Sequence, residues 1–247
     1  MTEFAHDTIV PFEDSALSKK DQVAGMFNQI AGKYDFLNRL LSVGIDVYWR
    51  KKGLQQLSSI FPDNLLDVAT GTADVAIMAA KMLRPTSIVG MDISSGMLDI
   101  AQKKIQEKGL SHTIQLKLAD SEAMPFDDNQ FDAVTVAFGV RNFQDLRKGL
   151  SEIRRVLKPG GKLMVLEFSK PTFPLVKWIY TFYMKIVTPN LGKLFSKNKA
   201  AYTYLDKSIQ QFPEGKNFIK ILQEIGYQQT EHKPLSAGIC SIYCGIK

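Results

Sequence analysis

Asn64-Leu-Leu-Asp-Val-Ala-Thr-Gly-Thr-Ala-Asp-Val75, followed by Ile88-Val-Gly-Met-Asp92, decides the fold of this 247-residue chain. It reads as a buried strand, a tight turn of small residues, a helix, and a second strand that ends in a carboxylate. Ala69, Thr70, Gly71, Thr72 and Ala73 let the backbone come close to a ligand, and Asp92 stands where a ribose diol is held. The plainer role for Asp92 is an N-cap of the next helix; its spacing of 25 from Asp67 favours the ribose. A dinucleotide loop uses glycines where this one has alanines, which turns the reading from a pyrophosphate towards S-adenosyl-L-methionine.

Outward from this unit, strands and helices alternate from Asn64 to Phe168, the sign of a parallel sheet. Strands are predicted near Leu65 to Ala69, Ser87 to Met91, Ile114 to Ala119, Phe131 to Phe138 and Lys162 to Phe168. Asp74 is expected to cap the first helix and Ser94 or Ser95 the second, while Lys158-Pro-Gly-Gly161 stops the helix that starts near Leu146. A helix near Lys216 to Glu224 and two strands, Tyr227 to Pro234 and Ile239 to Ile246, finish the sheet. Before the first strand, apolar residues recur at helical spacing from Lys20 to about Ile60 and predict two or three helices; residues 1 to about 20 read as a loose terminus.

Hydrophobic residues at 45% and charged residues at 23% are ordinary for a globular chain, which excludes disorder and fibre. The net charge of +6 suits an anionic bilayer but is equally common without one, and no basic and aromatic platform points to nucleic acid. Cys240 and Cys244, four apart on a predicted strand, would sit ~13 Å apart and cannot bridge. Reduced cysteines with no signal sequence indicate the cytoplasm. His6, His112 and His232 are scattered, so no metal is expected. Pro171 to Phe195 is rich in aromatic and aliphatic residues, but three lysines interrupt it, and a membrane span needs ~20 largely uncharged residues. It reads as a core or lid helix over the sheet, or as an amphipathic lid that covers an apolar substrate and rests on lipid.

Three loops at strand ends carry the chemistry. Asp67, with Thr70, Gly71 and Thr72, offers a carboxylate, hydroxyls and amides to the amino-acid part of the cofactor. Asp92 offers two acceptors to the ribose. Asp120 and Ser121 are placed to read an adenine amino group, with Met124 or Phe126 packing on the ring; the plainer role is an acidic surface turn. All three lie at the carboxyl ends of parallel strands, where open α/β sheets bind ligands.

These loops, with Phe131-Asp-Ala-Val-Thr-Val-Ala-Phe-Gly139 and Arg155-Val-Leu-Lys-Pro-Gly-Gly-Lys-Leu163, resemble the class I S-adenosylmethionine-dependent methyltransferases. That implies an α/β, Rossmann-like fold with a seven-stranded, mostly parallel sheet and helices on both faces. A narrower resemblance is to the ubiquinone/menaquinone biosynthesis C-methyltransferases. It rests on Tyr34-Asp-Phe-Leu-Asn38 with Ser42 and Trp49, Phe138-Gly-Val-Arg-Asn142, Arg155 through Ser169, and Tyr204-Leu-Asp-Lys-Ser-Ile209 with Phe212-Pro213. This chain departs from it at Asp46, where the family has a histidine, at Ala69 and Ala73, and at Ala137 in place of a serine.

The resemblance implies methylation of a ring carbon of a polyprenylated quinol, demethylmenaquinol to menaquinol, with a polyprenyl benzoquinol as the nearest rival. It implies Arg141 and Asn142 facing the substrate, Tyr34 and Asn38 capping the pocket, and Asp35 or Asp46 as the proton acceptor. Residues 1–62 then form a helical substrate cap and 63–247 the methyltransferase domain, with a helical lid at about 171–213. Peripheral contact with the inner face of the membrane follows from a lipid-soluble substrate, and a homo-oligomer stays open. Against it stand a nicotinamide-dependent oxidoreductase, which the missing glycines and the Asp120-Ser121 loop disfavour, and a protein that only senses the cofactor, which Arg141-Asn142 disfavours.

Overall fold

A computed structural model describes residues 4–171, 173–174, 178 and 199–247. The lid expected in 171–213 therefore falls mostly outside the described residues. Helices α1 (Lys19–Leu41) and α2 (Ile45–Leu54) precede the sheet. There follow β1 (Asn64–Val68), α3 (Asp74–Met82), β2 (Ser87–Asp92), α4 (Ser95–Glu107), β3 (Ile114–Leu118) and β4 (Phe131–Ala137). Then come α5 (Leu146–Val156), β5 (Leu157–Phe168), α6 (Lys199–Gln211), α7 (Lys216–Ile225), β6 (Gln228–Leu235) and β7 (Cys240–Ile246).

The strand order is β3-β2-β1-β4-β5-β7-β6, with β7 antiparallel to both neighbours and the five strands from β3 to β5 parallel. The order reverses between β1 and β4, so a crevice opens above their carboxyl ends. Because side chains alternate across a strand, successive residues feed opposite cores. Leu66, Val134 and Val165 pack with Leu150 of α5 and Phe218 of α7; Leu65, Ala133 and Met164 pack with Trp49 of α2, Ala76 of α3 and Ile105 of α4. Each fully buried aliphatic chain contributes about 1.5–3 kcal/mol. Cys240 and Cys244 are free and buried on the second of these faces.

Three local expectations need correcting. Asp74 is not the cap of α3: Ala73 holds that position at φ +64°, and the Asp74 carboxylate instead meets Lys104 Nζ at 2.5 Å. Helix α5 stops at Val156, before Lys158-Pro-Gly-Gly161, which is taken into β5 as an irregularity opposite Phe131 and Ala133. A Cβ at Gly161 would lie 2.8 Å from the Lys158 carbonyl, so the bulge requires glycine there. The segment from Phe4 to Ser18 is not loose. A short 3₁₀ turn, Ala5–Thr8, buries His6 edge-on against Phe212, and Lys19 Nζ donates to the His6 carbonyl at 2.8 Å. Burial, with the Lys19 charge beside it, pushes the His6 ring down to about 3, so this imidazole is neutral.

Candidate active site

The loop after β1 turns through the left-handed region at Ala69 (φ +54°), Gly71 (φ +56°) and Ala73 (φ +64°). The two alanines occupy a conformation that favours glycine, at a cost of about 1–3 kcal/mol each. The surroundings accommodate them. A Cβ at Gly139 would sit 2.6 Å from the Ala69 Cβ, so the side chain at 69 is tolerated because its neighbour across the crevice has none. From behind, Asp67 fixes the loop: its two carboxylate oxygens accept from the hydroxyls of Thr70 and Thr135, each at 2.6 Å. Burial pushes the Asp67 carboxyl up to about 6, against the pull of those hydroxyls.

Asp92 ends β2 and faces the crevice. One oxygen accepts from the Gly71 amide at 2.8 Å and the other from the Ser94 amide at 2.9 Å. A carboxylate offers about four lone pairs, so acceptor capacity remains. Burial raises its pKa while the amides of Ser94, Gly71 and Ile93 oppose the rise. Ser94 is the cap of α4, accepting from Met97 N at 3.2 Å, so Asp92 supports the cap without being it. After β3, Asp120 accepts from the Glu122 amide at 2.9 Å and from Lys20 Nζ of α1 at 2.9 Å.

Helix α1 lies across these loops. Asn28 accepts from Ser94 Oγ at 2.7 Å and from Gly96 N at 2.9 Å, which ties α1 to the start of α4. Lys20, Val23, Phe27 and Tyr34 recur on one helical face and line a cavity opposite Ala69, Gly71, Asp92, Asp120 and Ser121. The same cavity reaches Phe138, Gly139 and Asn142 beyond β4. Beside Gly71 a side chain would meet nothing within 4 Å, so bare backbone faces the space. Open backbone next to a buried carboxylate with spare acceptors fits the ribose and amino-acid ends of S-adenosyl-L-methionine.

Beyond β4 the contacts run through side chains. Arg141 Nη1 donates to the Phe138 carbonyl at 2.5 Å and to Glu167 Oε1 at 2.8 Å, both partners of that ion pair being buried. Burial raises the Glu167 carboxyl and the Arg141 guanidinium draws it down. Among the described residues, Arg141 Nε and Glu167 Oε2 have no hydrogen-bond partner. Asn142 Nδ2 lies 3.4 Å from the Phe138 carbonyl, and Tyr204 donates to Asn142 Oδ1 at 3.1 Å. Phe138 itself sits at φ +58°, held by this set.

The structure thus brings Gly71, Asp92, Asp120, Ser121, Tyr34 and Asn142 to one cavity. It places Asp67, Thr70 and Thr72 behind the loop and Arg141 behind Asn142, supporting the wall from outside it. Asn38 acts through Tyr34, whose phenol it hydrogen-bonds, while burial raises that phenol's pKa. Asp35 and Asp46 are elsewhere. Asp35 accepts from Thr72 Oγ1 at 2.5 Å and Lys104 Nζ at 2.7 Å. Asp46 is held by Ser42 at 2.7 Å, Arg39 at 3.0 Å and Arg50. Together with Asp74 they form a charged cluster that joins α1, α2, α3 and α4, and a proton-acceptor role does not fit carboxylates so paired. Sequence reading missed Lys20, Asn28 and Glu167 as site-building residues. Glu167 had a signal, being a carboxylate near the end of a strand, whereas Lys20 and Asn28 looked like any polar helix position.

A demethylmenaquinone methyltransferase of Bacteroides fragilis is 44% identical over 245 residues, covering 99% of each chain. A ubiquinone/menaquinone biosynthesis C-methyltransferase, UbiE, of Geobacter sulfurreducens is 44% identical over 230 residues, covering 93% of this chain and 90% of that protein. Among solved structures, a SAM-dependent methyltransferase from Aquifex aeolicus superposes with a TM-score of 0.55 at 17% identity, covering 74% of this chain and 81% of its own, a likeness of fold alone. The sequence profile that matches residues 15–247 includes α1, all three strand-end loops and the turn at Arg141-Asn142, and by it this chain belongs to the ubiE/COQ5 methyltransferase family.

Proposed function

We propose that this enzyme methylates a ring carbon of a demethylated polyprenyl naphthoquinol, demethylmenaquinol to menaquinol, using S-adenosyl-L-methionine. One observation carries the reading: Gly71, Asp92 and Asp120 share a single cavity with Tyr34, Phe138 and Asn142, so a cofactor end and a substrate end meet in one space. The naphthoquinol is favoured because the Bacteroides fragilis relative, matched end to end, carries that activity in its name. A polyprenyl benzoquinol is the second reading, since the Geobacter relative's name covers both quinones.

When bound, the cofactor supplies an electrophilic methyl on a sulfonium. Asp92 accepts from the ribose diol with the lone pairs its amide partners leave unused. Gly71 gives its open backbone to the amino-acid end, while Asp67, Thr70 and Thr72 hold the loop in shape. Asp120 and Ser121 face the adenine.

On the other side, a quinol carbon becomes nucleophilic once a neighbouring hydroxyl, of ordinary pKa ~10, loses its proton. Asn142 presents its amide to that oxygen and orders the water that takes the proton, its orientation fixed by Tyr204 and the Phe138 carbonyl. Arg141, always charged, acts from behind: it positions the turn and biases the site towards the phenolate. Tyr34, steadied by Asn38, closes the ring's far side. After transfer the methylated carbon releases its hydrogen as a proton and the ring regains aromaticity. Helices α1 and α2, within residues 1–62, serve as the substrate cap on the domain from 63 onward, at the cytoplasmic face of a membrane. Incubating the pure protein with methyl-labelled cofactor and reduced demethylated naphthoquinol or benzoquinol tests this. Label is expected in the naphthoquinol first; cofactor binding with no label in either ring refutes the reading.

A further inference from the structure

The turn between α1 and α2 has an unusual surface. Val43 is 85% exposed, and Ile45, Val47 and Tyr48 are 40%, 39% and 47% exposed, four large apolar side chains within six residues. Ile45 and Tyr48, three apart, share a face of the start of α2, and Val43 stands in the left-handed turn just before it. Leu17, Phe61, Met82 and Leu118 are exposed singly along the chain, and Phe36 on α1 and the pair Phe173 and Trp178 are exposed as well, but among the described residues none of these brings four such side chains into so short a stretch. Val43 is also strained. It sits at φ +51°, a region that asparagine or glycine enters readily and a β-branched residue does not.

Charge at this turn is one-sided. From Phe36 to Pro62 the only carboxylate is Asp46, and it is buried among Arg39, Arg50 and Ser42. What remains outside is Lys51, exposed, and Lys52, whose ammonium lies 5.7 Å from the centre of the Tyr48 ring. Aliphatic side chains at the tip, an aromatic ring beside them and lysines behind are the layout of a surface that enters the acyl boundary while its cations meet anionic headgroups. A nucleic acid or an acidic peptide would match the lysines and leave the valines and isoleucine without a partner.

We infer that the α1–α2 turn, with Val43, Ile45, Val47 and Tyr48 at its tip and Lys51 and Lys52 at its margin, is a docking surface for an anionic lipid bilayer. The inference rests on the polyprenyl-quinol reading above and deepens it. Tyr34, in the cavity wall, and Leu41, at the end of α1, are seven residues or about 10 Å apart along the helix, so a tail leaving the cavity beside Tyr34 meets lipid at the turn.

Co-sedimentation of the full chain with phosphatidylcholine vesicles, with and without phosphatidylglycerol, tests the surface. The unaltered chain is expected to bind the anionic vesicles at least ten-fold more tightly than the neutral ones. Combining Val43→Asn with Tyr48→Ser should weaken that binding at least five-fold, and Val43→Asn relieves strain, so the fold is kept. Lys51→Gln with Lys52→Gln should remove most of the preference for anionic lipid, and Phe61→Ser, elsewhere on the surface, should change neither. Methylation of a quinol with a truncated tail should be unchanged in the Val43 and Tyr48 variant, while turnover of a long-tailed quinol in vesicles falls with binding. The proposal is overturned if the unaltered chain stays in the supernatant, if the paired variants sediment like it, or if Val43→Asn with Tyr48→Ser splits a dimer and leaves vesicle binding intact. Vesicle binding that this variant abolishes supports the surface even where neither quinol is methylated, so the two readings fail separately.

Discussion

The two walls of the cavity are built by different means. On the cofactor side, backbone amides hold the two carboxylates that face the cavity: Gly71 N and Ser94 N on Asp92, and Glu122 N on Asp120, with 21 residues as the longest of these amide separations, while Asp67 with Thr135 and Lys20 with Asp120 brace them from other elements. On the substrate side, side chains reach one another across 26 residues for Arg141 and Glu167 and 62 for Tyr204 and Asn142. Strand ends that share a sheet are fixed as soon as the sheet forms. A wall of side-chain pairs exists only once distant elements have docked. Damage to the first wall should therefore fall on ligand affinity, and damage to the second on stability and turnover together.

The hardest test of that division is Arg141→Met. It leaves Glu167 buried and unpaired, which should cost about 3–5 kcal/mol of stability in denaturant titration. Turnover should collapse, while affinity for S-adenosylhomocysteine, measured by calorimetry, changes less than about three-fold. Adding Glu167→Leu should recover most of the stability and none of the turnover. Equal loss of cofactor affinity would erase the distinction between the walls.

Asp67 probes the foundation of the cofactor wall. Its pKa in the fold is raised to about 6, so the folded state favours the protonated acid. The stabilisation is full below the unfolded value near 4 and is lost as pH rises through about 6, a change of about 3 kcal/mol. The Asp67→Asn variant should lack that part of the stability-against-pH curve between pH 4 and 6. A variant that follows the unaltered chain through this interval contradicts the assignment.

The smallest of these effects, and the most specific, is expected from Asp92→Ala. It removes the acceptors for the ribose and for two loop amides, and cofactor affinity should fall about 100-fold, or about 2.7 kcal/mol, with little change in melting temperature of the cofactor-free protein. Calorimetry and thermal melts on the same samples decide it.

The same contrast explains what could be read from the sequence. The strand starts at Ser87, Ile114 and Phe131 match their predicted positions, and the carboxylates of Asp92 and Asp120 stand at strand ends as expected, because alternation of apolar residues is local. Arg141 and Asn142 were visible through resemblance, but not the ion pair with Glu167, which depends on how far the turn after β4 leans towards β5. Asp35 and Asp46 lie on helices whose rotation against the sheet sets what they meet, and periodicity gives a face without saying what lies across from it. His6 shows the limit from the other side: a polar, unpatterned terminus becomes buried because Phe212, more than two hundred residues on, supplies the ring it packs against.

The position of β7 sets an order of events during synthesis. It is the last of the seven strands to be made, yet it lies inside the sheet, paired to β5 along Lys162–Phe168 and to β6 on its other edge. Until β7 exists, the edge of β5 has no partner and β6 has no sheet to join. The nascent chain carries an open, apolar strand edge throughout that interval, a state that invites pairing with other chains. Chaperone dependence of this enzyme is therefore expected to concentrate on the time between the appearance of β5 and the arrival of β7.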